Sequence, residues 1–201
     1  MNLYRPSRAR IEFSWKDLLG QPLPHDHVVQ PYRDERVLVD AVTFYAGTAL
    51  GRGESVILVA THDHLAAIEE HLAQRRFELA DLKQWGVLTT RNAAELLYGF
   101  MVDGLPDPVL FRALMGQMVQ KAAARSRRRN VRVYGEMVNL LWRINLRAAH
   151  RLEALWNDLL AAHDMSLFCA YQIDADGGPR PELPGALRDA HSHLIPVEAT
   201  A

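Results

Sequence analysis

Short aliphatic runs alternate along this chain with longer segments whose apolar residues recur every three to four positions. DHVVQPY (26–32) reads as a short strand ended by Pro31, and from Asp34 the spacing changes. Val37, Leu38, Ala41, Val42, Tyr45 and Leu50 fall on one helical face, and the helix stops at Gly51-Arg52-Gly53. SVILVA (55–60) is an uninterrupted run of the kind found in strands covered on both faces. THDHLAAIEEHLAQRRF then predicts a helix capped by Thr61 or Asp63.

The alternation continues with a strand at WGVLTT (85–90), a helix near 92–100 and a longer helix from Pro108 to about Arg125. NVRVYGEM (130–137) and SLFCAYQI (166–173) read as strands flanking an amphipathic helix over 143–163. DADGGPRPELPG reads as a loop, and LPGALRDAHSH as a final short helix. Strands alternating with helices in this way predict a three-layer α/β domain: a mostly parallel central sheet with helices on both faces. Residues 1–24 read as an N-terminal arm, with a small helix at SWKD capped by Ser14, and residues 25–201 as the domain.

Composition narrows the class. The 201 residues carry a net charge of −1, which gives no electrostatic reason to expect nucleic acid or a membrane surface as partner. The single cysteine, Cys169, excludes an intrachain disulfide framework and a multi-cysteine zinc site. No apolar run approaches the roughly 20 residues needed to span a bilayer, and MNLYRPSRARIEF lacks the apolar core of a secretory signal. The expected location is therefore the cytoplasm.

A strand–turn–helix opening makes nucleotide binding the first chemistry to test. A phosphate loop needs a glycine-rich turn, a lysine and a hydroxyl for magnesium. The three lysines, Lys16, Lys83 and Lys121, neither follow a glycine nor precede a Ser or Thr. The turn after the first strand reads PYRDER, which would present Asp34 and Glu35 to a phosphate instead of backbone amides. G-x-G-x-x-G and G-x-S-x-G are absent as well.

The run HDHVVQPYRDERVLVDAVTFYAGTALGRGESVILVAT, followed by RVYGEM, LFCAY and HSHLIP, resembles the MEDS family, the sensory domain named for methanogens, methylotrophs and the dichloromethane-metabolism repressor DcmR. The resemblance covers about residues 25–196 and rests on His27, Tyr32, Gly53-Glu54, Arg132, Gly135-Glu136-Met137, Cys169-Ala170-Tyr171 and His191. It implies a RecA/KaiC-like fold that has lost its phosphate loop, in agreement with the lysine positions. It also implies a signalling role, with a small ligand or a partner such as a histidine kinase, an anti-sigma system or a transcription regulator. The expectation here is a stand-alone module.

Six of nine histidines sit in His-x-His pairs: 25/27, 62/64 and 191/193. Paired imidazoles on a strand share a face and suit a metal. Parallel strands, however, put the first two pairs at opposite sheet edges. On a helix start, residues two apart diverge by about 200°. The pairs therefore read as caps and edge hydrogen bonds, with no metal site and no cofactor expected. His62 is the functional choice, because α/β sheets bind ligands at strand C-terminal ends.

Glu136 ends an apolar strand where an ATPase of this ancestry would keep a catalytic carboxylate. Without a phosphate loop it reads as a structural partner or a polar anchor for a ligand. Tyr32, Asp34, Thr61, Tyr134, Met137, Trp142 and Tyr171 complete the expected binding edge with Glu136 and His62. Cys169, inside an apolar strand, reads as a buried inert thiol, and RSRRRN (125–130) as a solvated helix end. The apolar stripe of the 143–163 helix reads as core, with a homodimer seam or partner face as the alternative.

The resulting expectation is a non-catalytic sensory or regulatory domain of bacterial signalling. A divergent nucleotide- or metal-dependent hydrolase using Glu136 and His62 is the alternative, and a ligand-free interaction module is the third reading.

Overall fold

The computed structural model describes residues 14–173 and 183–197. The first part of the arm and most of the loop read at 174–185 lie outside the described residues. In chain order the elements are α1 (Trp15–Gly20), β1 (His27–Tyr32), α2 (Glu35–Gly51), β2 (Ser55–Ala60), α3 (His62–Gln74), α4 (Leu79–Gln84) and β3 (Leu88–Asn92). They continue with α5 (Ala93–Tyr98), β4 (Met101–Val102), β5 (Leu105–Pro106), α6 (Pro108–Phe111) and α7 (Gln117–Ala123). The last are β6 (Val131–Gly135), α8 (Leu146–Ala162), β7 (Met165–Gln172), α9 (Gly185–Arg188) and β8 (His193–Leu194). A wide π-helical turn, Arg112–Gly116, joins α6 to α7 within the single helix expected there.

Six strands form one parallel sheet in the order β3-β2-β6-β7-β1-β8, while β4 and β5 make a separate antiparallel hairpin. The sheet is covered on both faces, as its unbroken apolar runs require: every residue of β1, β2 and β6 is buried. Alternation along each strand sorts the core into two halves. Ile57, Val59, Val133, Leu167 and Cys169 face α5–α9, whereas Val56, Leu58, Tyr134, Phe168 and Ala170 face α1–α4. This is the expected three-layer α/β architecture. No helix among the described residues is long and apolar enough to cross a membrane.

Local chemistry sets the boundaries. Ser14 caps α1 and Asp34 caps α2, each side chain accepting the backbone N–H two residues on. Gly53 (φ +75°) makes the turn from α2 into β2. At Gly135 a Cβ would lie 3.3 Å from Trp156 Cζ2, so the missing side chain lets β6 approach α8 closely.

Three features differ from the pattern reading. WGVLTT starts its strand later, at Leu88, because α4 occupies 79–84 with no buried residue to mark it. The segment before Pro108 contains the β4–β5 hairpin. The final helix stops at Arg188, so HSH continues as extended chain and His193 enters β8 beside Val28. Residues of α1 pack on the domain: Leu19 is fully buried and Trp15 meets the Phe44 ring edge-on.

Candidate functional site

Glu136 follows β6 directly, and its side chain turns toward α3. One carboxylate oxygen accepts the Thr61 backbone N–H at 2.6 Å. The other accepts from the Tyr134 hydroxyl at 3.0 Å and meets His64 Nδ1 at 2.8 Å. Glu136 is 1% exposed and Tyr134 fully buried. Burial and the adjacent Glu136 push the Tyr134 hydroxyl well above its ordinary pKa, so it remains a donor. The hydrogen bond to Glu136 raises the His64 pKa against the opposing effect of burial, favouring an imidazolium that donates through Nδ1. Tyr32 closes the group, its ring edge-on to His64 with centroids 6.5 Å apart. Burial and Glu136 likewise raise its hydroxyl pKa.

The sheet therefore brings Tyr32, Thr61, Tyr134 and Glu136 together, and adds His64. His62 is exposed, about 200° round the helix from the buried stripe His64–Ile68–Leu72. Asp34 caps α2 and pairs with Arg36, whose guanidinium holds its carboxyl below the usual range. Met137, Trp142 and Tyr171 belong to the opposite half of the core. Trp142 packs edge-on against Tyr171, and its indole N–H donates to Asn139.

On that opposite face lies a second polar group. His27 opens β1, and its Nε2 is 3.3 Å from Cys169 Sγ and 3.5 Å from Glu153 Oε2. His191 Nε2 is 3.4 Å from Glu153 Oε1, which also receives a short hydrogen bond from the Tyr171 hydroxyl. The two imidazole centroids are 4.0 Å apart. The four side chains offer donor atoms to a metal that all lie within 4.8 Å of one another. Burial and the neighbouring His191 draw the His27 pKa down from 6.5 to about 4. Burial and Glu153 push the Cys169 thiol and the Tyr171 hydroxyl up. Burial works against ionisation of Glu153, yet His191, His27 and Tyr171 hold its carboxyl below the usual value.

The helical stripe held the signal for Glu153. It falls on the buried line Ala149–Glu153–Trp156–Leu160 of α8, a carboxylate where the period demands an apolar residue.

A third buried charge has a full set of partners. Arg132 donates to Glu54 at 2.5 Å, to Thr48 Oγ1, and to the carbonyls of Leu19, Gly20 and Tyr45. It ties α1 and α2 to β6, a structural use of two residues that carry the family resemblance.

Open clefts of about 560 and 260 Å³ lie between α7 and α8 and one of about 680 Å³ between α7, α5 and β3, and none is lined by any of the nine residues expected at the binding edge.

Comparison with curated proteins returns no match. Over residues 26–181 the chain matches the model of MEDS, the MEthanogen/methylotroph, DcmR Sensory domain, and it belongs to that family.

Proposed function

We propose that this chain is a non-catalytic sensory domain of bacterial signalling, in which a small ligand or a signalling protein shifts the balance between conformations. The observation that carries the reading is the state of Glu136. Both oxygens of this buried carboxylate are engaged by protein donors, so neither is directed at a water or a metal-bound phosphate. The family match supports the sensory role. The lack of a glycine–lysine phosphate loop agrees with both. The group around Tyr32, Thr61, His64 and Glu136 sits where parallel sheets bind ligands, and a ligand there would have to exchange one of these internal hydrogen bonds for its own.

The test is thermal unfolding and phosphate release with magnesium and ATP. The expected result is an unchanged melting temperature and no phosphate above the protein-free rate. Stabilisation together with phosphate release that disappears in Glu136→Gln would establish the hydrolase instead.

One observation favours a partner-docking surface as the second reading. Tyr98, Val109 and Ile144 are 86%, 70% and 81% exposed, and Asn145 bonds the Gly104 carbonyl at the hairpin tip, which links the 144–146 segment to β4–β5.

A further inference from the structure

Hydrogen positions around His27 and His191 follow from their outer neighbours. Asn157 donates its amide N–H to the Ala190 carbonyl, so its Oδ1 accepts from His27 Nδ1 at 2.9 Å. The Leu187 carbonyl accepts from His191 Nδ1 at 2.7 Å. Both imidazoles thus hold a proton on the outer Nδ1 and turn Nε2 inward, toward Cys169 and Glu153. The Cys169 thiol is positioned to donate to His27 Nε2, and Tyr171 to Glu153 Oε1. Two buried polar atoms are left without a hydrogen-bond partner, Glu153 Oε2 and His191 Nε2, the latter 3.4 Å from Glu153 Oε1. The side chains of His27, Glu153 and His191 are 3%, 2% and 1% exposed, so bulk water does not reach them.

We propose that His27, Glu153, Cys169 and His191 form a closed, four-ligand site for a divalent cation of the zinc class. Ligand atoms about 2.1 Å from a tetrahedral ion are separated by about 3.4 Å. With Glu153 Oε2 as the carboxylate ligand, the contacts from His27 Nε2 to Cys169 Sγ and to that oxygen, 3.3 and 3.5 Å, match that edge length, and all four donor atoms lie within 4.8 Å of one another. Two neutral imidazoles, one carboxylate and one thiolate carry two negative charges, which neutralise a divalent ion in a site shielded from water. On binding, a sulfur–metal bond forms and the Cys169 proton leaves to solvent. The thiolate and imidazoles select zinc over magnesium or calcium, which prefer oxygen donors. Asn157 and the Leu187 carbonyl are the outer contacts that fix the two rings.

Four protein ligands with no open position make a structural or regulatory ion and not a catalytic one. Its effect falls on the C-terminal segment. His191 lies between α9 and β8, and β8 pairs with β1 through Val28 and Val29. The ion fastens residues 183–197 to β1, β7 and α8, and its loss frees that edge strand.

The site is tested on the full, tag-free chain. Elemental analysis is followed by zinc titration of the chelator-stripped protein against a chromophoric chelator, and by cobalt substitution. One zinc per chain is expected, with a cobalt spectrum showing tetrahedral visible bands and a thiolate charge-transfer band. Asn157→Ala should weaken zinc by about 10–100-fold, and Cys169→Ser or His191→Gln by more. Cys169→Ser should also abolish the charge-transfer band, while the outward-facing His193→Ala keeps both zinc and spectrum. Should a ligand variant fail to fold, stoichiometry and the cobalt spectrum of the unmodified chain still decide. Substoichiometric zinc, or equal binding by the wild type and Cys169→Ser, would overturn the proposal. A chain without zinc affinity whose His191 is instead protonated against Glu153 would overturn it as well.

Discussion

Two buried glutamates occupy opposite faces of the same sheet and stand in opposite conditions. Glu136, on the α3 side, has three donors for two oxygens: the Thr61 amide, the Tyr134 hydroxyl and His64. Glu153, on the α8 side, has the Tyr171 hydroxyl on one oxygen and no hydrogen-bond partner on the other, beside an imidazole nitrogen in the same position. The first carboxylate is saturated by protein donors. The second stands among acceptors and calls for a positive charge. Burial alone therefore does not separate a structural carboxylate from a ligand; the balance of donors around it does.

The sharpest way to break the comparison is to remove each carboxylate in the metal-free protein. Glu136→Ala strands three partners, the Thr61 amide, the Tyr134 hydroxyl and His64, and should cost about 3–5 kcal/mol in chemical denaturation. Glu153→Gln should cost less than about 1 kcal/mol without metal, because the new amide N–H can reach the orphaned His191 Nε2. A loss for Glu153→Gln as large as that for Glu136→Ala would remove the contrast.

A pH series sharpens the Glu136 side. The folded pKa of His64 is raised, so the native state holds a proton that the unfolded chain releases near 6.5. The stabilisation from this pair is fully present below about 6.5 and is lost as pH rises through the higher folded value. The stability difference between wild type and His64→Gln should shrink across that interval; a difference that grows with pH would contradict the pairing. The smallest effect is expected at His62, where His62→Ala should change stability by less than about 0.5 kcal/mol. A larger loss would give this exposed side chain a role the structure does not show.

Much of the fold was legible in the sequence because long periods and unbroken runs leave little choice. SVILVA maps residue for residue onto β2, and the helices over 35–51 and 146–162 follow their apolar stripes. The elements missed were those that bury little or span few residues: α4, the two-residue strands of the hairpin, and β8. The site was half legible. Strand polarity did separate His27 from His64, but HSH, read as helical, gave no hint that an extended chain returns His191 to His27. Helical phase, applied to α3, would have chosen His64 over His62, since residues 64, 68 and 72 share the buried face. The placement of Tyr171 depended on strand alternation: Cys169 and Tyr171 face α8, while Tyr134 faces α3.

The most direct test of the contrast is zinc-dependent thermal unfolding of three proteins: wild type, Glu136→Gln and Glu153→Gln. At about 100 times the dissociation constant, a ligand specific to the native state adds about 2.7 kcal/mol, or roughly 5–10 °C for a chain of this size. That rise is expected for wild type and for Glu136→Gln, from its lower starting point, and is expected to be lost in Glu153→Gln. A rise of the same size in all three proteins, or in none, would contradict it.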